Sequence, residues 1–320
     1  MTEEMPFLRD LRSELQQRAR HDATAAAARR HRPPTGLWML AGGAAAVTAA
    51  VAVAFTSGLD SGRVTPPRAN ALERAAQAAQ ATSQPVPKAD QFSYVHSTTT
   101  RLQLELAPGT REIEPQNIAL ITSDRRIWTS LERPGRLTED PLTARYPAAP
   151  EKSTDRFTAA PPVPAPDRLD PRDAYQLGGL ELTRRQLIDF PTDPTTIYSR
   201  VRDADEDPAT PAAMFEQLGD ALREGPAPPA LRAGLYRALA LVPGIELLGG
   251  RSDSRGRAGT AVAFTAGGRR SELIFDPETG DMLAEQTVIT DPRQARLPLA
   301  AGTVIGDTVY LRRAVTDTTR

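Results

Sequence analysis

Cysteine is absent from this 320-residue chain, and histidine is scarce. Without cysteine the protein has no disulfides, thiolate metal sites, cysteine nucleophile or lipoprotein acylation site. The three histidines, His21, His31 and His96, are far apart in the sequence, which argues against a metal centre built from several imidazoles. We therefore expect no metal and no cofactor.

An excess of charge of either sign is also missing. The 39 basic residues nearly balance the 40 acidic ones, and only two of the basic residues, Lys88 and Lys152, are lysines. A dedicated nucleic-acid binder carries a basic patch and a clear positive balance. The composition therefore predicts that nucleic acid is not a partner.

One long segment is free of charge. From Gly36 through Leu37 and Trp38 to Phe55 there are 20 consecutive uncharged residues, and this stretch has no polar face. As a helix it would span roughly 30 Å, the thickness of the hydrocarbon core of a bilayer. The segment 36–55 is therefore predicted to be a single transmembrane helix with the lipid bilayer as its partner.

The flanks of this segment predict its orientation. Arg29, Arg30 and Arg32 precede it, whereas the residues that follow begin with Thr56 and Ser57. Basic residues favour the cytoplasmic side, so the N-terminus is expected inside the cell and the C-terminal part outside. The alternative is a cleaved export signal with a small-residue site at 50–52 or 52–54, which would release a secreted protein.

The predicted span divides the chain into four parts. Residues 1–35 form a cytoplasmic tail in which Phe7, Leu8, Leu11 and Leu15 recur at helical spacing, typical of one amphipathic helix. This helix either docks on a cytoplasmic partner or belongs to a solvated tail whose arginines only fix the topology. Residues 56–68 form a linker, and residues 69–320 form one exterior domain.

The exterior domain begins with an alanine-rich helix that Asn70 would cap and a long strand starting at Phe92. Apolar and polar residues alternate strictly over 15 residues, and Phe92, Tyr94 and His96 fall on the same, more apolar face. We interpret these three side chains as a candidate ligand face. The alternative for His96 is a half-buried, hydrogen-bonded histidine without contact to a ligand.

The rest of the domain predicts an α+β fold. Residues 141–171 contain eight prolines and are expected to form an extended loop. Apolar stripes predict a helical hairpin around 214–222 and 231–242, after shorter helices near 183–189 and 194–202. Further strands are expected within 117–122, 126–131, 245–248, 260–265, 272–275, 282–290 and 304–314, with a turn at 276–280. Together they predict an antiparallel sheet.

No motif identifies an enzyme. The glycine-rich stretches lack the residues of a P-loop or of a dinucleotide-binding turn, and there is no nucleophile elbow with the pattern GxSxG. The acidic run 203–207 lacks the glycine and the final glutamate of a calcium loop. A non-enzymatic role is therefore predicted, and a hydrolase using two carboxylates stays open as an alternative because such residues need only meet in space.

Several motifs resemble those of an actinobacterial family of single-pass membrane proteins; they read FLRDLRSEL, FSYVHS, PTDP, LIFDPETG and GTVIGDTVYL. This resemblance covers nearly the whole chain and implies membership without implying an activity. A shorter stretch around residues 71–97 is similar to the start of the periplasmic regulators of the sigma-E pathway. It implies a lipoprotein-carrier-like half-barrel with an apolar, lipid-binding face.

These resemblances lead to three functional hypotheses. In the first, the exterior domain binds an apolar ligand or an envelope protein, and the tail signals to a cytoplasmic protein such as a sigma factor. In the second, the exterior domain is a structural or interaction protein without a ligand. The third is the carboxylate-based envelope hydrolase.

Overall fold

The described part of the chain lies in its C-terminal unit. A computed structural model describes residues 67–82, 86–104, 113–154, 167–172, 175–204, 208–223 and 227–319. The chain divides into two compact units, 1–61 and 62–320, and every described residue belongs to the second. The predicted tail helix, the span Gly36–Phe55 and its flanking arginines all lie outside the described residues. Among the described helices, none combines the length and the apolar character that a membrane crossing requires.

Six helices and eleven strands are found in the described ranges. The helices are α1 (Pro67–Ala81), α2 (Arg184–Ile188), α3 (Pro194–Arg202), α4 (Pro211–Arg223), α5 (Pro229–Ala240) and α6 (Pro292–Ala295). The first strands are β1 (Phe92–Leu104), β2 (Ile118–Thr129), β3 (Gly135–Arg145), β4 (Asp167–Leu169), β5 (Tyr175–Leu177) and β6 (Leu180–Leu182). The later strands are β7 (Glu246–Ser252), β8 (Ala258–Ala266), β9 (Arg269–Phe275), β10 (Met282–Ile289) and β11 (Val304–Thr316).

Nine of these strands form one antiparallel sheet in the order β4-β3-β2-β1-β11-β10-β9-β8-β7, while β5 and β6 form a separate hairpin. The sheet is open, because β4 and β7 stand at opposite edges. The last strand, β11, pairs with the first, β1, and so joins the two halves of the sheet. The predicted α+β fold with a large antiparallel sheet is confirmed, as is the helical hairpin α4–α5.

The main core lies between one face of the sheet and the helices. It joins buried residues of α1, α4 and α5 to sheet residues such as Val95, Ile127, Val262, Leu273 and Tyr310. In an antiparallel sheet, alternate residues of each strand and their cross-strand partners share a face. We call this face, which carries Val95 and Leu273, the helix face.

The other face of the sheet has apolar clusters of its own. One contains Ile274, Ala284 and Val309 in neighbouring strands. Another joins Leu120 and Ile305 to the segment after β10, which includes α6 and Leu297. Both faces are therefore partly covered, which explains why the simple apolar and polar alternation of a sheet that is wet on one side does not hold throughout.

Strand β1 departs from the predicted alternation around His96. Val95 and Ser97, expected on the polar face, are 3% and 1% exposed, whereas Tyr94 and His96 are only half-buried. The cause of this correction is that Val95 packs in the helix core, so the helices cover the face of β1 that was expected to be polar. The register with β11 also shifts between His96 and Ser97, as at a β-bulge, but the extra residue lies in β11 and the register of β1 with β2 is continuous.

Three boundaries differ from the sequence prediction. Helix α1 begins at Pro67, so Asn70 lies inside the helix and does not cap it. Strand β2 is one continuous element where two short strands were expected. Strand β3 continues through Pro141 to Arg145, into the segment expected to be a loop. Proline is tolerated there because β4 pairs only with residues 135–137 and the register with β2 shifts near Pro141.

The turn between β9 and β10 attaches the helices to the sheet. Gly280 has φ +68, as expected for the glycine of the predicted turn 276–280, and its N–H donates to the Asp276 carbonyl at 2.9 Å. Its carbonyl accepts hydrogen bonds from Arg232 at 2.8 Å and from the Tyr236 hydroxyl at 2.9 Å, both on α5. Buried polar groups of α5 are thereby satisfied at one point of the sheet.

Candidate binding cleft between helix α4 and the sheet

A cleft opens between α4 and the helix face of the sheet. Two adjoining cavities, of about 500 and 370 Å³, share the lining residues Phe215, Glu216, Ser271 and Thr287 and therefore form one space. We call this space the α4 cleft. Its volume lies in the range of small-molecule sites, roughly 300–1,000 Å³.

Helix α4 forms one wall of the cleft because it is amphipathic. Its apolar stripe is buried in the helix core, and Gly219 approaches the sheet so closely that a Cβ there would lie 3.3 Å from Leu273. Glu216, Asp220 and Arg223 follow at spacings of four and three residues, which places them on one side of the helix. All three line the cleft.

The sheet forms the floor of the cleft from several strands. Leu273 of β9 and Phe264 of β8 contribute apolar surface, while Ser271, Thr287 and Thr308 contribute hydroxyl groups. Arg101 and Arg125 line one end, and both contact Glu139 of β3. The cleft is thus lined mainly by hydroxyl and charged groups, and its apolar part consists of the partly buried Phe264 and the almost fully buried Phe215 and Leu273.

A charged cluster ties α4 to this floor. The Tyr310 hydroxyl on β11 donates to Glu285 Oε1 on β10 at 2.5 Å. Glu285 Oε2 contacts the Arg223 guanidinium, which also contacts Asp220 on its own helix. Glu285 and Tyr310 are 12% and 4% exposed, whereas Arg223 and Asp220 are 36% and 47% exposed, so the cluster extends from the core to the surface.

Burial controls the electrostatics of this cluster. It raises the pKa of Glu285, an effect that the charge of Arg223 only partly opposes. Burial and the neighbouring glutamate raise the pKa of Tyr310 well above its usual value. Burial alone would lower the pKa of Arg223, but Glu285 and Asp220 outweigh it, so the guanidinium stays charged.

The sequence-predicted ligand face lies elsewhere. Phe92, Tyr94 and His96 share the side of β1 opposite to Val95 and therefore face away from the α4 cleft. Phe92 is 1% exposed, and the Arg133 guanidinium lies 4.6 Å from the centre of its ring. Phe92 is therefore a packing residue in the structure.

Tyr94 and His96 belong to a small polar and aromatic cluster. The Tyr94 ring centre lies 4.8 Å from that of Trp128 on β2, and His96 Nε2 lies 2.7 Å from Asp124 Oδ2. His96 is thus half-buried and hydrogen-bonded, as the alternative interpretation expected. A role of these residues in ligand binding stays a prediction.

Sequence reasoning missed the residues of the α4 cleft. Arg223, Glu285 and Tyr310 are far apart in the sequence and meet only through strand pairing and the docking of α4. One signal was available: Glu285 is an acid within the largely apolar strand 282–289, and a buried acid requires a partner. The sequence does not identify that partner.

Comparison with known proteins gives limited results. No protein-family model and no curated protein matches the chain. One similar solved structure is the complex of MucA and MucB from Pseudomonas aeruginosa, with 11% identity, a TM-score of 0.25, and coverage of 78% of this chain and 57% of that chain. A structure of MucB with periplasmic MucA has 10% identity, a TM-score of 0.23, and coverage of 78% and 55%.

The similarity to MucB is weak, and the chain spans little more than half the length of the structures that it matches. Identities and TM-scores this low carry no argument about function. Membership of the actinobacterial family and a single-pass topology both stay predictions.

Proposed function

We propose that this protein is a membrane-anchored, non-catalytic binding module of the cell envelope. Its domain after residue 68 would hold an apolar ligand, or an apolar segment of an envelope protein, in the α4 cleft. The observation that carries the proposal is the cleft itself, in which the partly buried Phe264 and the almost fully buried Phe215 and Leu273 lie beside many hydroxyl and charged groups. A ligand in this cleft would bury apolar surface against Phe264 and would be oriented by the polar groups around it.

The contacts of Glu285 favour binding over catalysis. One carboxylate oxygen accepts from Tyr310, and the other contacts Arg223. A general acid or base needs an oxygen that can reach the substrate. We therefore assign Glu285 to holding the cleft in shape, and we keep the carboxylate hydrolase as the rival hypothesis.

The proposed membrane anchor is supported by the sequence alone. The uncharged segment 36–55 and the arginines before it support a single span with the N-terminus in the cytoplasm. The amphipathic tail would then meet a cytoplasmic protein, and a sigma factor is one such partner that we propose. The two matched structures are complexes of MucB with MucA, and an envelope protein as partner is likewise a proposal for this chain.

Native mass spectrometry of the purified full chain tests the binding function. Ser271 lines both cavities, so Ser271→Trp places an indole ring in the cleft. Thr265→Trp is the matched control, because Thr265 is exposed and occupies the opposite face of the neighbouring strand β8. We expect an adduct on the wild-type protein and on Thr265→Trp, and its loss from Ser271→Trp.

Two results would contradict the proposal. The first is a wild-type protein that repeatedly carries no adduct after gentle purification. The second is an adduct that Ser271→Trp retains as well as the control does, since the bound molecule would then lie outside the cleft. Turnover of a substrate by the purified chain would favour the hydrolase.

A further inference from the structure

Helix α4 is attached to its surroundings differently at its two ends. In its first half the contact with the sheet is apolar, with the ring centres of Phe215 and Phe264 6.0 Å apart. Near the middle, Gly219 lies against Leu273. Contacts of this kind are not directional.

The last turn of α4 carries polar contacts to other elements. The Tyr175 hydroxyl donates to the Asp220 carbonyl at 2.9 Å, and Arg313 of β11 donates to the Leu222 carbonyl at 3.5 Å. Arg223 contacts Glu285 of β10, which also accepts from Tyr310 of β11. The ion pair is the strongest of these contacts, because hydrogen bonds between charged groups exceed neutral ones.

The same helix defines the width of the cleft. Phe215, Glu216, Asp220 and Arg223 all belong to α4 and all line the larger cavity, whose opposite wall is the sheet. A movement of α4 away from the sheet would therefore widen the cleft. Two polar contacts between α4 and the sheet oppose this movement: the ion pair of Arg223 with Glu285 and the longer hydrogen bond from Arg313 to the Leu222 carbonyl.

We propose that Arg223, Glu285 and Tyr310 form a latch that holds α4 over the cleft, and that α4 is the movable wall through which a ligand enters. The inference rests on the proposed function in one respect, since it treats the cleft as the binding site. Tyr310 positions the Glu285 carboxylate, and Glu285 holds the guanidinium. Loss of the Glu285 charge leaves Arg223 with Asp220 of its own helix, a contact that does not join α4 to the sheet.

Hydrogen–deuterium exchange of the full chain, read by mass spectrometry without added ligand, tests the latch. In Glu285→Gln we expect peptides covering Pro211–Arg223 to exchange about tenfold faster or more, the scale of losing one hydrogen bond between charged groups. Asp253→Asn is the control. Asp253 is also buried and paired, with Arg257 at 2.6 Å, but it lies in the turn between β7 and β8.

The control separates a local opening from general destabilisation. Asp253→Asn is expected to leave exchange in α4 at the wild-type rate. Unchanged exchange of α4 in Glu285→Gln would overturn the proposal, and so would an equal acceleration of α4 in both variants.

If Glu285→Gln does not fold, a milder variant tests the latch. Tyr310→Phe keeps the ion pair and removes one hydrogen bond to the carboxylate. We expect a smaller acceleration, of about threefold or more, confined to the same helix. No acceleration would refute the positioning role of Tyr310. Because the exchange experiment uses no ligand, its failure would overturn the latch and leave the binding proposal standing. A missing adduct in native mass spectrometry would remove the role of α4 in ligand entry and leave the Arg223–Glu285–Tyr310 latch itself standing.

Discussion

Replacing Gly280 by alanine tests how the helices are attached to the sheet. This residue adopts φ +68, and a Cβ built on it would lie 2.5 Å from the carbonyl oxygen of Ala75 and 2.6 Å from the N–H nitrogen of Ala79. Both atoms belong to the backbone of α1. The added methyl group would therefore force α1 and the turn apart.

The cost of Gly280→Ala in the free energy of unfolding has two parts. The left-handed backbone costs alanine about 1–2 kcal/mol, of which about 0.4–1 kcal/mol is returned because alanine restricts the unfolded chain. Overpacking against a rigid backbone adds about 1–3 kcal/mol. The sum is a loss of about 1–5 kcal/mol in the free energy of unfolding. For a domain of this size, in which 1 kcal/mol corresponds to about 2–4 °C, we expect the Tm to fall by about 2–20 °C.

Thermal unfolding followed by circular dichroism measures this loss, and Gly302→Ala is the matched control. Gly302 also has positive φ, +86, but no atom lies within 4 Å of a Cβ placed there. It should therefore show only the backbone cost, with a fall in Tm of about 2–4 °C. A Gly280→Ala variant that melts no lower than Gly302→Ala would refute the packing of α1 on the turn.

Two further predictions concern pH. The pKa of Tyr310 is raised by burial and by Glu285, so the tyrosine contributes stability that is complete below about pH 10 and is lost as the pH rises through the raised value. Tyr310→Phe should flatten that alkaline loss in denaturant titrations, and an unchanged alkaline slope would contradict the burial of the phenol. Glu73 has a lowered pKa because Arg237 of α5 donates to it at 2.9 Å, so its contribution is present above about pH 4.5 and is lost on acidification. Because the pair is partly exposed, Glu73→Gln should cost less than about 1 kcal/mol at pH 7, and this cost should shrink as the pH falls below about 4.5. An equal cost at pH 7 and at pH 3 would exclude the ion pair as its cause.

The elements of the fold followed from local patterns. The stripe of Met214, Phe215 and Leu218 predicted α4, and the runs around Val262 and Ile274 predicted strands β8 and β9, because helix and strand periodicities are local properties. The register shift next to His96 was not predictable in this way. It depends on β11, which lies more than 200 residues further along the chain.

The candidate site was less predictable from the sequence than the elements of the fold, because its residues meet only through tertiary contacts. The alternation in β1 predicted that the face of Tyr94 and His96 would carry the ligand site, but the helices cover the opposite face, which carries Val95. Residue polarity misled the prediction, because a small polar residue such as Ser97 can also be buried. Arg223 and Glu285 meet because α4 docks on β10, and no local pattern encodes that docking. A lone acid in an apolar strand was the sequence signal that such a contact exists.

Cross-linking from within the α4 cleft tests the central claim most directly. A photo-reactive phenylalanine analogue placed at Ser271 in growing cells would lie in the cleft, and the same analogue at Thr265 would lie on the opposite face of the sheet. We predict a discrete cross-linked product, a lipid-like molecule or an envelope protein, from position 271 and none from position 265. No product from position 271, or the same product from both positions, would contradict the assignment of the cleft as the binding site.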